Sequence, residues 1–294
     1  MRVYYCDVQS LDLPAGHRFP SGKYSMLRER LLADGFTLEL ADLAPIDLIR
    51  LVHSERYVSD FLSGSLSPSA VRRIGFPWSE ALVRRTLMSL GGTLAAAEDA
   101  LRDGRGANLA GGTHHAFADQ GAGYCVFNDL AVALQWLRRD GRIGRAAVID
   151  LDVHQGDGTA SIFSGDPDIF TVSMHCRSNF PLRKQESNID IELADQTRDD
   201  EYLAALDFVL SRVIAFRPDI ILYQAGVDAL LSDRLGHLAL THAGLRERDR
   251  RVMLAARSHD IPLTITLGGG YSLPLELTAE AHANVYRTAW EVFD

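Results

Sequence analysis

Residues 146–158 read Ala146-Ala147-Val148-Ile149-Asp150-Leu151-Asp152-Val153-His154-Gln155-Gly156-Asp157-Gly158. The run begins as a short, β-branched apolar segment, which predicts a buried strand. Side chains alternate along a strand, so Asp150, Asp152 and His154 would point the same way if the strand continued. Two carboxylates are costly to bury unless a cation or a partner compensates them. The pattern predicts a divalent metal site, with Zn²⁺ favoured and Fe²⁺ or Co²⁺ as alternatives. The competing interpretation is an acidic loop that caps the next helix.

Short apolar runs of the same kind recur along the chain, and helical stretches separate them. The predicted strands are 3–5, 108–110, 146–149, 169–174, 220–223 and 263–267. The predicted helices are 24–33, 79–104, 128–139, 201–215, 243–257 and 274–293. Segments 63–77 and 177–200 are predicted to be long connections. This alternation predicts a three-layer α/β/α fold around a central, mostly parallel sheet, formed by one domain over residues 1–294.

Polar motifs follow four of the predicted strands, and the carboxyl ends of parallel strands meet at one edge of a sheet. Besides 150–158, these motifs are 111–115, 224–228 and 268–271. Asp228 follows an apolar strand and a glycine. We expect it to supply a third metal ligand, leaving one position open for water and substrate. An N-cap of the next helix is the alternative role for Asp228.

Two adjacent histidines and a tyrosine are the candidate catalytic groups. His114 and His115 follow a Gly-Gly turn, and Asp150 and Asp157 are free to hold one ring each, which orients an imidazole and raises its basicity. The alternative is one ring in the core and one at the surface. Tyr271 follows three glycines, which would let its hydroxyl reach a cleft. The alternative for Tyr271 is simple packing beside a glycine-rich turn.

The composition excludes several classes of function. A net charge of −9 over 294 residues disfavours non-specific nucleic-acid binding. Three arginine pairs are interpreted as solvated faces: 72–73, 84–85 and 138–139. No apolar run approaches the length that spans a bilayer, so we expect no membrane contact. The three cysteines form no disulfide framework or paired metal motif, which predicts a cytoplasmic location; they are Cys6, Cys125 and Cys176.

In combination these motifs resemble the zinc-dependent histone deacetylase family, within the arginase/deacetylase fold. The resemblance covers nearly the whole chain. The matching stretches are 17–20, 52–54 with Tyr57, 111–115, 121–129, 148–158, 224–233 with Gly236, and 268–271. The stretches 17–20 (His-Arg-Phe-Pro) and 179–181 (Asn-Phe-Pro) are similar to the class IV-like and bacterial branch.

The resemblance implies a role for each site residue. Zn²⁺ would be bound by Asp152, His154 and Asp228. His115, paired with Asp157, would be the general base and then the general acid, and His114, paired with Asp150, would assist electrostatically. Tyr271 would stabilise the oxyanion. The acyl-lysine tunnel would be lined by Gly123, Tyr124 and Phe180. A structural K⁺ would involve Asp150, Asp152, His154, Ser173 and Met174.

The expected reaction is hydrolysis of an N-acyl amide, most simply N6-acetyl-lysine in a peptide or protein. An acetylpolyamine, another small acylated amine or a long-chain acyl-lysine fits the same chemistry. One rival is a binuclear manganese ureohydrolase, which needs a richer Asp/His set than this chain offers. Another rival is a catalytically silent protein that binds acyl-lysine.

Overall fold

The computed structural model of the protein describes residues 1–8 and 11–294. Eight strands in the described chain form one sheet, and every pairing between neighbouring strands is parallel. The strands are β1 (Arg2–Tyr5), β2 (Thr37–Leu40), β3 (Arg105–Asn108), β4 (Ala146–Asp150), β5 (Ile169–Cys176), β6 (Ile189–Leu193), β7 (Ile220–Gln224) and β8 (Leu263–Thr266). Their order across the sheet is β2-β1-β3-β8-β7-β4-β5-β6. The α/β class is confirmed, and the sheet is wholly parallel where the prediction was mostly parallel.

Ten helices connect the strands within the described residues. They are α1 (Gly22–Ala33), α2 (Ile46–Ile49), α3 (Glu55–Ser63), α4 (Pro68–Ile74), α5 (Glu80–Asp103), α6 (Asp129–Arg139), α7 (Asp157–Ile162), α8 (Asp199–Phe216), α9 (His242–Ser258) and α10 (Leu275–Phe293). Helices α5 and α6 each begin at a polar N-cap whose side chain accepts a main-chain hydrogen bond. Ser79 Oγ accepts a hydrogen bond from the Leu82 amide at 3.1 Å, and Asn128 Oδ1 accepts one from the Ala131 amide at 3.0 Å.

Two hydrophobic clusters cover the two faces of the sheet, and alternate residues of β4 show the division. Ala147 and Ile149 pack into the cluster that contains buried residues of α1, α8, α9 and α10. Ala146 and Val148 pack into the cluster that contains buried residues of α5 and α6. All five residues of β4 are buried, which explains why this strand is apolar on both faces. The arrangement is the three-layer α/β/α architecture.

The prediction missed several short elements. The long connection 63–77 contains α4, and the connection 177–200 contains β6. The edge strands β2 and β6 are mostly exposed or half-buried, so they lack the continuous apolar run that identifies the central strands. The predicted strand 108–110 lies earlier, at β3. Its Gly106 leaves no room for a side chain, because a Cβ there would lie 1.8 Å from the Ala96 carbonyl oxygen of α5.

The carboxyl ends of five adjacent strands, β3, β8, β7, β4 and β5, open at the same edge of the sheet. The loops that follow them carry the polar motifs, as expected for an open parallel sheet. No helix in the described residues combines the length and apolarity that would be needed to cross a bilayer.

Candidate active site

Three predicted metal ligands meet at the carboxyl edge of the sheet. Asp152 and His154 follow β4, and Asp228 follows the neighbouring strand β7. The Nδ1 atom of His154 lies 2.9 Å from Asp152 Oδ1 and 3.2 Å from Asp228 Oδ2. Both carboxylates are almost fully buried. The alternative role of Asp228 as an N-cap is wrong, because the next helix begins at His242 and is capped by Thr241.

The chemistry of these three residues fits a divalent cation. Asp228 Oδ2 is buried, and no donor in the described chain is aligned to give it a hydrogen bond. Burial, reinforced by the nearby charge of Asp152, raises the pKa of Asp228 to about 7. Burial opposes charging of His154, but the adjacent carboxylates outweigh it and raise the pKa of His154 to about 10. A proton on His154 thus supplies the positive charge that a bound cation would supply.

Each predicted histidine–aspartate pair is formed. His114 Nδ1 lies 2.6 Å from Asp150 Oδ2, and His115 Nδ1 lies 2.6 Å from Asp157 Oδ1. Both rings are buried, and their centroids are 4.1 Å apart. The alternative of one core ring and one surface ring is therefore wrong.

The N–O distance is the same in the two His–Asp pairs, yet the pKa values of the two imidazoles are shifted in opposite directions. Burial works against a charged His114, but Asp150 and Asp152 together raise the pKa of His114 to about 9. Burial and the neighbouring charge of His114 lower the pKa of His115 to about 4, against the opposing hydrogen bond of Asp157. One ring of the pair is therefore set up to be cationic and the other to be neutral.

The histone deacetylase domain matches residues 17–288 of this chain, which include every residue of this constellation. The chain belongs to the histone deacetylase family. The protein is therefore a hydrolytic deacetylase, and its fold is the arginase/deacetylase fold.

Relatives across bacteria and plants agree with this assignment. The deacetylase is 42% identical over 299 residues to an uncharacterized protein of Picosynechococcus, covering 99% of this chain and 98% of the relative. It is 32% identical to Histone deacetylase 2 of Arabidopsis thaliana, covering 90% of this chain and 72% of the relative. It is 31% identical to the acetoin utilization protein AcuC of Bacillus subtilis, covering 84% and 70%. A crystal structure of an HDAC homolog from Aquifex aeolicus shares the fold, with a TM-score of 0.84 at 24% identity, covering 98% and 83%.

A cavity of about 610 Å³ in the deacetylase is lined by two of the predicted metal ligands, Asp152 and His154. The predicted tunnel residues Gly123, Tyr124 and Phe180 line it. The Phe180 ring packs edge-on against His115, with centroids 4.9 Å apart. Gly123 has a φ of +53°, and a Cβ there would lie 2.7 Å from His115 Cδ2. A glycine is therefore needed where the wall comes closest to the histidine.

Tyr271 also lines this cavity. Its backbone amide donates a hydrogen bond to Asp233 Oδ2 at 2.6 Å, which fixes the residue after the three glycines. Burial, together with the charges of Asp228 and Asp152, holds the pKa of the Tyr271 hydroxyl well above its usual value. The hydroxyl therefore remains a hydrogen-bond donor at neutral pH.

Lys23 is a cavity residue that the sequence analysis missed. It is 1% exposed, and Nζ donates a hydrogen bond to the Gly268 carbonyl at 3.1 Å and lies 5.5 Å from the Tyr271 ring centroid. Burial lowers the pKa of Lys23 to about 8 despite the opposing charges of Asp228 and Asp152. Helical periodicity in the sequence could have indicated that Lys23 is buried, because it begins the buried face of α1 that continues through Leu27 and Leu31.

The outer wall of the cavity carries three arginines, here called the mouth arginines: Arg18, Arg72 and Arg73. All three are exposed, as predicted for the 72–73 pair. Among the described residues, no carboxylate forms an ion pair with any of them, whereas many other arginines of this acidic enzyme are paired. The mouth is therefore locally basic.

The residues predicted for potassium include Asp152 and His154 of the predicted zinc ligands, and the other three adjoin them in the sheet. Ser173 of β5 pairs with Asp150 of β4 in the sheet register. Its Oγ atom lies 3.0 Å from His175 Nδ1, and Met174 is fully buried. Asp152 and His154 follow in the loop after β4.

Proposed function

We propose that this chain is a zinc-dependent hydrolase that removes an acyl group, most simply acetyl, from the N6 atom of lysine or a related linear amine. The proposal rests mainly on the two His–Asp couples, which lie beside a carboxylate-rich donor set in a cavity of about 610 Å³. Acetylpolyamines and longer acyl chains remain alternative substrates of the same chemistry.

The metal would be held by Asp152, His154 and Asp228, and the proposed ion is Zn²⁺, which accepts mixed oxygen and nitrogen ligands. When bound, it supplies a Lewis acid that polarises the amide carbonyl and lowers the pKa of water. A structural K⁺ is proposed beside it, at Asp150, Asp152, His154, Ser173 and Met174.

His115 is the proposed general base. Its Nδ1 atom faces the Asp157 carboxylate, so the proton of the neutral ring belongs on Nδ1 and the lone pair on Nε2. Nε2 then takes a proton from the attacking water and returns it to the leaving amine. His114, held by Asp150, is proposed to assist electrostatically.

Tyr271 is the proposed oxyanion donor. Its hydroxyl stays protonated, so it can donate a hydrogen bond to the substrate carbonyl as negative charge develops on the oxygen. Gly123, Tyr124 and Phe180 would enclose the alkyl chain of the amine, which favours a linear substrate. The three cysteines are unpaired and buried, which supports a proposed cytoplasmic location.

Mass spectrometry on one mixed panel tests the function: acetyl-lysine and long-acyl-lysine peptides together with acetylpolyamines. The His115→Ala protein is the blank, and elemental analysis counts zinc per chain. Turnover of one class above the blank is the expected result and names the substrate type. A protein that holds one zinc and binds acetyl-lysine without turnover would instead be a silent binding protein. Two manganese ions per chain would instead favour the binuclear manganese ureohydrolase.

A further inference from the structure

A second group of metal-binding side chains lies at the same edge of the sheet, outside the catalytic constellation. This rim cluster consists of Cys176, Asp195 and His237, whose ligand atoms all lie within 4.8 Å of one another. Cys176 is the last residue of β5, Asp195 follows the neighbouring strand β6, and His237 lies between β7 and α9. Three distant parts of the chain therefore converge on one point.

The distances within the rim cluster suit a tetrahedral ion. Cys176 Sγ lies 3.2 Å from Asp195 Oδ1, and His237 Nδ1 lies 3.8 Å from Asp195 Oδ2. Four ligands about 2.0–2.3 Å from a tetrahedral zinc ion lie about 3.3–3.8 Å from one another. The two measured distances, one to each oxygen of the Asp195 carboxylate, lie close to that range.

One further oxygen ligand is available, the Ser178 hydroxyl. Ser178 Oγ lies 2.5 Å from Asp195 Oδ1 and 2.8 Å from His237 Nδ1, so it occupies the same small space. The Asp195 and His237 side chains are about half exposed, at 54% and 50%, which leaves a path for an ion from solvent. Cys176 closes the inner side of the cluster, where it is buried.

The competing explanation is a hydrogen-bonded network that merely holds the loops in place. Main-chain bonds already do this. The Cys176 amide donates to the Val153 carbonyl at 2.9 Å, and the Gln196 amide donates to the His237 carbonyl at 2.8 Å. The His237 amide donates to Asn179 Oδ1 at 3.0 Å. The loops are therefore tied without the thiol, the carboxylate and the imidazole, which are the side chains that bind transition metals.

We propose that Cys176, Asp195 and His237 form a second site for a divalent transition metal of the zinc type, with Ser178 or water as the fourth ligand. Binding would release the Cys176 thiol proton to solvent, with no change in oxidation state. Ser178 and His237 also line the cavity that leads to the catalytic residues. An ion there stands at the entrance, so its occupancy lowers turnover at high zinc concentration. This last consequence rests on the proposed function, whereas the binding itself does not.

Cobalt spectroscopy separates the two sites, because the catalytic ligand set contains no sulfur. Co²⁺ is added stepwise to the metal-free full-length protein, and thiolate-to-cobalt charge transfer is followed in the near ultraviolet. We expect a charge-transfer band of one thiolate per chain. The band should be absent in Cys176→Ser and strongly weakened in His237→Gln. It should be unchanged in Cys6→Ser, which removes a buried thiol at the end of β1, away from the cluster.

The outcomes of the cobalt titration are decisive in either direction. Absence of the band in the natural protein overturns the site, and so does a band that persists at full strength in Cys176→Ser. If the serine variant folds poorly, His237→Gln changes only a half-exposed ring and gives the same information.

Zinc inhibition tests the position of the site. With one zinc bound, the ratio of turnover with and without excess Zn²⁺ should fall severalfold for the natural enzyme and stay near one for Asp195→Asn. Equal inhibition of the two proteins would overturn the blocking role. Absence of turnover on every substrate would count against the proposed deacylation and leave the cobalt result to decide the metal site.

Discussion

The floor and the mouth of the cavity have opposite chemical character. The floor, formed by the metal-ligand set and its two His–Asp couples, is buried and rich in carboxylates. The mouth carries the exposed Arg18, Arg72 and Arg73, none of which forms an ion pair with a carboxylate of the described residues. The floor is suited to holding a cation and the mouth to meeting an anion.

The two regions also differ in how the fold supports them. The floor carboxylates follow buried strands and take main-chain hydrogen bonds: Asp228 Oδ1 accepts from the Val153 amide at 2.9 Å, and Asp152 Oδ2 accepts from the Gly269 amide at 2.8 Å. Arg72 and Arg73 lie in the last turn of the short helix α4, where their side chains reach solvent. We infer that the floor sets the reaction, and that the mouth is free to set substrate preference.

The largest effect is expected from removing a floor carboxylate. Asp228→Ala deletes one of three protein ligands, so metal affinity should fall by more than the ~100-fold that loss of a supporting contact can cost. Turnover should then be undetectable, and elemental analysis after dialysis checks the metal content. Asp168→Ala, which removes a half-exposed carboxylate remote from the cavity, is the control and should keep the metal. The measurement is made in a Cys176→Ser background, so that the rim cluster does not contribute zinc, and stoichiometric zinc in Asp228→Ala would then remove Asp228 from the ligand set.

The next effect concerns a floor residue that holds no metal. Tyr271→Phe should keep the zinc content and lower kcat by roughly 10²–10³-fold, because one oxyanion donor is lost. Steady-state kinetics with parallel metal analysis separates this result from metal loss. Tyr124→Phe is the matched control, since its ring lines the same cavity and no catalytic role is proposed for its hydroxyl. Near-natural turnover in Tyr271→Phe would refute the donor role.

The floor could be predicted from sequence because its signals are local. The run at 146–158 places two predicted metal ligands and both carboxylate partners of the histidines directly after one buried strand, and the β4 prediction needed no knowledge of its neighbours. Asp228 and Tyr271 follow equally buried strands. Parallel pairing alone then brings these loops to one edge.

The mouth and the rim could not be predicted in this way. Cys176, Asp195 and His237 have no common spacing, and they meet only because β6 pairs with β5. That edge strand is half-exposed and carries no clear apolar run. Arg72 and Arg73 were correctly interpreted as exposed, but nothing in a helix-ending arginine pair indicates which cavity lies beside it. Such positions depend on tertiary contacts, which a local pattern does not encode.

The buried His53 allows a comparison of how stability depends on pH. The buried His53 ring accepts the Asn128 amide hydrogen on Nε2 at 2.9 Å, so Nδ1 donates to the Phe117 carbonyl at 3.0 Å and the ring is neutral. Burial lowers the pKa of His53 to about 4. The folded state therefore binds fewer protons than the unfolded state between about pH 4 and 6.5. The contribution of neutral His53 to the free energy of unfolding is complete above pH 6.5 and is lost as the pH falls toward 4.

Urea unfolding of the natural protein and of His53→Gln, at pH 7 and pH 4.5, measures this contribution. The natural protein should lose about 2–3 kcal/mol more than the variant over that interval. Other buried histidines titrate in both proteins and cancel in the difference. An equal loss in the two proteins would show that His53 is not held neutral. Acid inactivation would then have to be assigned to the floor.

The smallest effect should come from the mouth. Each exposed arginine contributes about 0.2–1 kcal/mol to an interaction with an anionic group, so the three together favour an acidic over a basic acyl-lysine peptide by about tenfold. The preference should appear mainly in kcat/KM, decline with added salt and fall to about twofold in Arg72→Gln/Arg73→Gln, which leaves Arg18 in place. A matched pair, Arg138→Gln/Arg139→Gln, removes two charges from α6 and should leave the preference unchanged. Competition between the two peptides, followed by mass spectrometry, measures the ratio directly. If acidic and basic peptides compete equally at low salt, the mouth arginines do not select the substrate, and the contrast between floor and mouth is one of burial alone.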